Sequence, residues 1–321
     1  MSAAPASGPL ELGDGEAVLA FDVGGTDTKY ALFAADGAMI GRHRRPTPRA
    51  GSDTVEQVLD LVAHTAAGFL SDFPHIRPRA VGLLVPGLVD DVTGVGVLSG
   101  NLGWADVPFR SLAESRLELP VAFSHDVSGA GEAELRLGAA RPFRNVAVLV
   151  VGTGLAGALF VDGRPYSAGG FAGEIGHSIV VPGGRECVCG GRGHLESVAS
   201  AGAIARLYTE LTGTSVEGAR EVLTYARAGD RDAILVWDEA IGALALGISQ
   251  LVAILAPEAV VIGGGLAAAG DAFFGPLEQK LDRLLTFHRR PLLIPAQLGE
   301  DAGLLGAALR ARDLVSPHSA S

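Results

Sequence analysis

The sequence predicts an α/β protein built on a duplicated strand–turn–strand unit, and three observations carry that prediction. Strands and helices alternate through most of the 321 residues. The apolar runs AVLAFDV (17–23), NVAVLVV (145–151) and PEAVVIG (257–263) each enter a glycine turn, as buried strands do. VLAFDVGGTDTKYALFAADG (18–37) and NVAVLVVGTGLAGALFVDG (145–163) share one plan: buried strand, glycine turn, second strand, Asp-Gly turn.

The elements follow in order. MSAAPASGPLELGDGE (1–16) has neither a basic n-region nor an apolar core and reads as a disordered tail, not a signal peptide. After the strand at 17–23, KYALFA (29–34) is its hairpin partner. Residues 54–70 place Val55, Val58, Leu59, Val62, Ala66 and Phe69 on one helical face, capped by Asp53 or Thr54. RAVGLLVP (79–86) is a buried strand stopped by proline. A short helix near 108–117, the strand PVAF (120–123) and a helix from Asp126 to Gly138 come next. Beyond the repeat lies a glycine-rich loop, then mostly helix to about 256, a strand at 257–263 and a final helix in GEDAGLLGAALRAR. GALALGISQLVAILAPEAVVIGGG is interrupted by Ser249, Gln250, Pro257 and Glu258, which suits a buried helix and strand rather than a membrane span.

Composition narrows the class. With 48% apolar and 19% charged residues the chain is globular. A formal net charge of -11 argues against nucleic-acid and membrane-surface partners, which call for basic patches. Without export or anchoring signals the expected compartment is the cytoplasm. Two cysteines one residue apart do not make a structural disulfide there.

The glycine turns FDVGGTDTK, VVGTGLAG and VIGGGLAA read either as tight connections or as phosphate cradles, since glycine lets backbone N–H groups approach an anion. Three in one chain favour the second reading. No GxxxxGK[ST] P-loop is present, and GTGLAG is followed by a strand where a dinucleotide fold needs a helix. Asp22, beside the first turn, is either a turn former or a carboxylate that meets phosphate through Mg²⁺. In FAGEIGHSIVVPGGRECVCGGRGHLE (171–196), His177, Cys187, Cys189 and His194 form a plausible tetrahedral zinc set. The alternative is a surface loop with incidental cysteines. Asp126, after a strand and opening a helix, is by itself an N-cap candidate.

DVGGTDTK, GTGLAG, the glycine turn at 263–265, AGEIGH and CVCGGRGHLE together resemble the ROK family of sugar kinases and sugar-responsive repressors, from about residue 17 to 313. The resemblance implies a two-domain actin-like ATPase (ribonuclease H-like) fold with a cleft between domains. The expected division is a smaller domain over 17–124, with a helix at about 302–313 packed back on it, and a larger domain over 125–301. It implies ATP with Mg²⁺, the phosphates near Asp22, Gly24, Gly25, Thr26, Thr153 and Gly154, and the adenosine near Gly264 and Gly265. It implies structural zinc on His177, Cys187 and Cys189, with His194 standing where the family usually has cysteine. The ion would stiffen a loop whose glycines cannot hold it rigid. Glu174, His177, Glu196 and Asn101 are implied to bind the sugar, and Trp104 to be core or pocket wall. Asp126 is implied to be the base. The residue before it, which in the family often touches the sugar, is His125 where the family usually has asparagine; His125 is thus implied to bind the sugar and bears on its identity. Ala156 replaces a common glycine.

The activity implied is transfer of the γ-phosphate of ATP to the 6-hydroxyl of an aldohexose, glucose first. An N-acylhexosamine kinase and a catalytically weak sugar sensor remain open. A repressor would carry an N-terminal helix-turn-helix, for which a first strand near residue 17 leaves no room. A homo-oligomer is expected by family analogy, and polyphosphate stays open as donor.

Overall fold

Two strand-and-helix units make up the chain, and the computed structural model describes residues 12–316. Most of the expected tail lies outside the described residues. Its last part does not behave as a tail: Leu12 N–H donates to Gly37 O, Gly15 N–H to Ala35 O, and the Arg312 guanidinium donates to Gly13 O and Glu16 O. Unit one runs to Ala133 and includes Ser167–Phe171 and the chain from Glu300 onward. Unit two comprises Glu134–Tyr166 and Ala172–Gly299. The change from one to the other thus falls inside a helix, past the expected boundary at 124/125, and Asp126 stands in unit one.

Unit one opens with β1 (Val18–Val23), β2 (Asp27–Phe33) and β3 (Met39–Pro46), followed by α1 (Thr54–Asp72) and β4 (Ala80–Val85). A small meander, β5 (Leu88–Asp90), β6 (Val95–Ser99) and β7 (Trp104–Val107), precedes α2 (Phe109–Leu117), β8 (Val121–His125) and α3 (Asp126–Leu137). The main sheet has the order β3-β2-β1-β4-β8, antiparallel from β3 to β1 and parallel from β1 to β8. β1 and β4 are buried on both faces, hence their unbroken apolar runs. Leu19, Phe21 and Val23 of β1 and Val81, Leu83 and Val85 of β4 form one core with Val58, Leu59 and Val62 of α1 and Phe109 of α2. Trp104 belongs to that core, edge-on to Phe109 at 4.9 Å. The meander and β3 escape the sequence reading because short, glycine-broken and charged strands lack a clean period of two.

Unit two repeats the plan. β9 (Val146–Val151), β10 (Leu155–Val161) and β11 (Arg164–Pro165) lead into the glycine-rich loop. Then come α4 (Glu196–Ala199), α5 (Ala201–Thr212), α6 (Ala219–Arg227), α7 (Arg231–Leu255), β12 (Ala259–Gly263), α8 (Asp271–Leu284) and β13 (Leu292–Pro295). Its sheet has the order β11-β10-β9-β12-β13, again antiparallel then parallel. Side chains cap two of the helices: Ser200 Oγ accepts from Ala203 N–H and Asp230 Oδ1 from Ala233 N–H. By length and composition α7 could cross a membrane, but Trp237, Ile241, Leu244, Ile248 and Val252 bury it in the unit's core.

The last helix, α9 (Ala302–Val315), packs on β1, β4 and β8 of unit one. Small residues permit that close approach. Ala20, Gly82 and Ala122 lie in register across the three parallel strands. A Cβ added to Gly82 would stand 2.0 Å from Ala307 O, and one on Gly306 would stand 2.0 Å from Gly129 O.

Candidate active site and metal centre

The parallel register sets the site in unit one. Asp22 pairs with Leu84, and Leu84 with Ser124, so Asp22 and the His125–Asp126 step lie at the same end of the sheet. That end, where parallel strands finish, is where open α/β sheets bind ligands. Burial, with the Asp126 carboxylate next in weight, pushes the Asp22 carboxyl up to about 6. Lys29, its cross-strand neighbour, offsets part of this from 3.7 Å, while its Nζ also donates to Glu300 O at 2.9 Å. The first turn of α9 presses on the same carboxylate: a Cβ on Gly303 would come within 2.3 Å of Asp22 Oδ2. Asp126 Oδ1 accepts from Val127 N–H at 2.7 Å and lies 2.9 Å from His125 Nε2.

The turn after β1 is held from outside. Gly24 N–H donates to Asp27 O at 2.9 Å, which closes it. Buried Thr47 donates from Oγ1 to Gly24 O at 2.8 Å and from its N–H to Thr26 O at 2.8 Å. Arg49 Nε donates to Gly25 O at 3.1 Å. Lys29, Thr47, Arg49 and Gly303 are site residues that sequence reading missed. Lys29 was quoted within the motif, but its strand pairing gives it the role. The other three lie far from the motif and carry no local signal.

In unit two the turn Gly152–Gly154 is strand-to-strand, as the sequence predicts, since β10 follows it at once. Glu196, first residue of α4, reaches this turn: Leu155 N–H donates to Glu196 Oε2 at 2.8 Å. A Cβ on Gly154 would stand 2.7 Å from that oxygen and push the Glu196 carboxylate off the turn. Thr153 is exposed and its carbonyl lies against Gly202 at the start of α5. AGEIGH lies against the backbone of β10, with Gly157 N–H donating to Gly173 O at 2.9 Å. A Cβ on Gly173 or Gly176 would meet β10 carbonyls at 2.0 Å. Glu174, between them, lies 3.6 Å by its Oε2 from His177 Nε2. After β12, Gly264 has φ +88° and crosses over Val151 O, while Gly265 faces open space. Asn101 is exposed in the turn between β6 and β7 of unit one.

The metal candidates meet in unit two. The ligand atoms of His177, Cys187, Cys189 and His194 all lie within 4.8 Å of one another. Cys187 Sγ is 3.8 Å from His177 Nδ1, and Cys189 Sγ is 3.2 Å from His194 Nδ1. Zinc bonds of about 2.0 Å to nitrogen and 2.3 Å to sulfur place tetrahedral neighbours roughly 3.3 to 3.8 Å apart. The set therefore fits zinc after shifts of about 1 Å. Burial pushes the Cys187 thiol up, so loading would release protons. The loop departs from the expectation that its glycines leave it slack. Backbone bonds tie it: Cys187 N–H to Gly191 O, Gly193 N–H to Arg185 O, and both Val180 and Val181 N–H to Gly193 O. An ion there would lock a folded knuckle rather than create one.

The two sheets of one plan, each with a glycine turn leaving its first strand, are those of the actin-like ATPase fold. A family model described as ROK family matches residues 18–313, and the chain belongs to that family. It is 32% identical over 312 residues to the glucokinase of Halalkalibacterium halodurans, covering 89% of this chain and 92% of that one. The ROK hexokinase structure from Thermus thermophilus matches with TM-score 0.80 and 34% identity over 93% of this chain and 99% of that one. A ROK family glucokinase from Streptomyces griseus, in complex with glucose and AMPPNP, matches with TM-score 0.78 and 28% identity over 92% and 99%.

Proposed function

We propose that the protein is an ATP-dependent hexokinase that phosphorylates the 6-hydroxyl of an aldohexose, glucose first. The observation that carries this reading is the pair Asp22 and Asp126 at the ends of parallel strands of one sheet, close enough for one charge to raise the pKa of the other. Two carboxylates at one end of a sheet, the charge of Asp126 raising Asp22, suit a base and a cation partner. The glucokinase relatives support the sugar.

In this reading Asp126 takes the proton of the sugar 6-hydroxyl as that oxygen attacks the γ-phosphorus. The new O–P bond forms in line as the bond to the β-phosphate oxygen breaks, and ADP leaves. Backbone N–H groups of Gly25 and Thr26 in unit one, in the turn that Gly24 closes, and of Thr153 and Gly154 in unit two, hold phosphate oxygens. Gly264 and Gly265 border the adenosine. Mg²⁺ would neutralise phosphate charge, with Asp22 holding it. Glu174, His177 and Glu196 of unit two, and Asn101 of unit one, accept and donate to the sugar hydroxyls. Zinc on His177, Cys187, Cys189 and His194 would cross-link the loop that carries Glu174 and Glu196. A homo-oligomer in the cytoplasm, acting on sugar and ATP, completes the reading.

The test is ATP consumption by the purified protein with Mg²⁺ on glucose, beside GlcNAc, ManNAc, mannose and fructose. Turnover on glucose well above the others upholds it. Preference for an N-acyl sugar replaces the substrate, and silence on all sugars leaves a sensor.

A further inference from the structure

We propose that His125 is a positioning residue for the base: it fixes the Asp126 carboxylate so that Oδ2, and not Oδ1, takes the sugar proton. The inference rests on the kinase reading above for its chemistry, and on geometry for its assignment. His125 ends β8 and Asp126 begins α3, so the two side chains are set by adjoining rigid elements. His125 Nε2 lies 2.9 Å from Asp126 Oδ1, and Val127 N–H donates to that same oxygen at 2.7 Å. A carboxylate oxygen only accepts, so for this 2.9 Å contact to be attractive the imidazole must carry a hydrogen on Nε2. Both side chains are largely buried, 15% exposed for His125 and 24% for Asp126, so water competes little for this bond.

Two donors on Oδ1 do two things. They fix the carboxylate plane, because one donor comes from backbone and the other from a largely buried ring at the end of β8. They also occupy the lone pairs of Oδ1, which leaves Oδ2 as the oxygen that can accept the sugar proton. Proton transfer is therefore directed to Oδ2. Asparagine, which the sequence motif leads one to expect at 125, has a shorter side chain whose amide nitrogen falls near the position of Nδ1, not Nε2. His125 is thus a change of reach at the catalytic step, beyond any change in what touches the sugar.

The test uses the full chain with Mg²⁺, ATP and glucose. His125→Ala is expected to lower kcat by roughly 10- to 100-fold, the scale of a misplaced catalytic group. The glucose KM should move by less than about threefold, because the lost interaction acts on the transition state rather than on uniform binding. His125→Gln, whose amide nitrogen falls where Nε2 does, should recover most of kcat, and His125→Asn should not. A large rise in KM with kcat held, equal for Gln and Asn, would make His125 a sugar ligand and overturn the proposal. A second readout does not depend on activity. A slowly exchanging Nε2–H resonance of His125, present in the wild type and lost in Asp126→Ala, upholds the pair; its absence from the wild type overturns it. A wild type inert on every sugar, with that resonance present, would sink the kinase reading and leave the pairing standing.

Discussion

The first unit runs β3-β2-β1-β4-β8 and the second β11-β10-β9-β12-β13, with antiparallel and parallel pairs in the same places. Val18 pairs with Phe33 and Ala80, and Val146 with Phe160 and Ala259, so the two ladders can be read side by side. In that alignment Asp22 matches Val150, and Lys29 matches Ala156. One copy places an ion pair across its first two strands; the other places two apolar residues there. Unit two brings in a carboxylate from outside the sheet instead, as Glu196 of α4 accepts from Leu155 N–H. Duplication supplied the scaffold twice, while the chemistry was placed separately on each turn. A charge built into a strand is fixed by the ladder. A charge brought by a helix depends on glycines that let the helix approach.

The strongest break in this comparison is at Asp126, the proposed base. Asp126→Asn should lower turnover by about 10³-fold or more while glucose still binds, measured by kinetics beside calorimetry. Turnover near normal would remove Asp126 as the base. Next in size is the candidate metal cluster of unit two. Elemental analysis should find about one zinc per chain, and Cys189→Ser should lose it and cut kcat/KM for glucose about 10- to 100-fold. A metal-free preparation of full activity would show that the backbone bonds of the knuckle suffice.

Unit one has its own sensitivity, to pH. Asp22 holds its proton up to about 6 in the fold and to 3.8 in the unfolded chain. The folded state binds the extra proton within that window, so ligand-free stability falls as pH rises from 3.8 to about 6, then levels off. The loss is of order 3 kcal/mol. Melting curves of Asp22→Asn should lack this fall; a fall unchanged in the variant would assign it to other groups. The smallest effect contrasts the two glycine turns. Gly154→Ala sets a Cβ against Glu196 and should cost about 1 to 2 kcal/mol and raise the glucose KM. Gly25→Ala meets nothing within 4 Å and should alter stability by less than about 0.5 kcal/mol. Equal costs would mean that Glu196 moves freely from the turn.

Much of this was legible in the chain. The buried runs at 17–23, 79–86, 145–151 and 257–263 became β1, β4, β9 and β12, because a strand covered on both faces must be continuously apolar. The CxC spacing with two histidines became a cluster of four ligand atoms. The exposed β3, the three-stranded meander and β13 were not legible, since partly exposed strands carry mixed patterns. Asp53 was a nominal cap for α1, yet Thr54 Oγ1 instead accepts from Ala50 N–H. The roles of Thr47, Arg49 and Gly303 were invisible for a different reason. Thr47 and Arg49 act on a turn more than twenty residues earlier, and Gly303 acts on Asp22 from the opposite end of the chain.

By itself the sequence determined which residues could become strands, turns and ligands, because periodicity, glycine and donor chemistry are local properties. It determined that Asp22 and Asp126 were acidic groups beside turns. Only the tertiary structure decided that β1 and β8 lie on either side of β4, which brings those two acids within reach of each other's charge. Only the tertiary structure decided that His125 turns its Nε2 to Asp126 and that Glu196 closes on Gly154. Charge coupling and hydrogen bonding depend on separation in space, and separation in space is set by strand order and helix packing, which no stretch of sequence contains on its own.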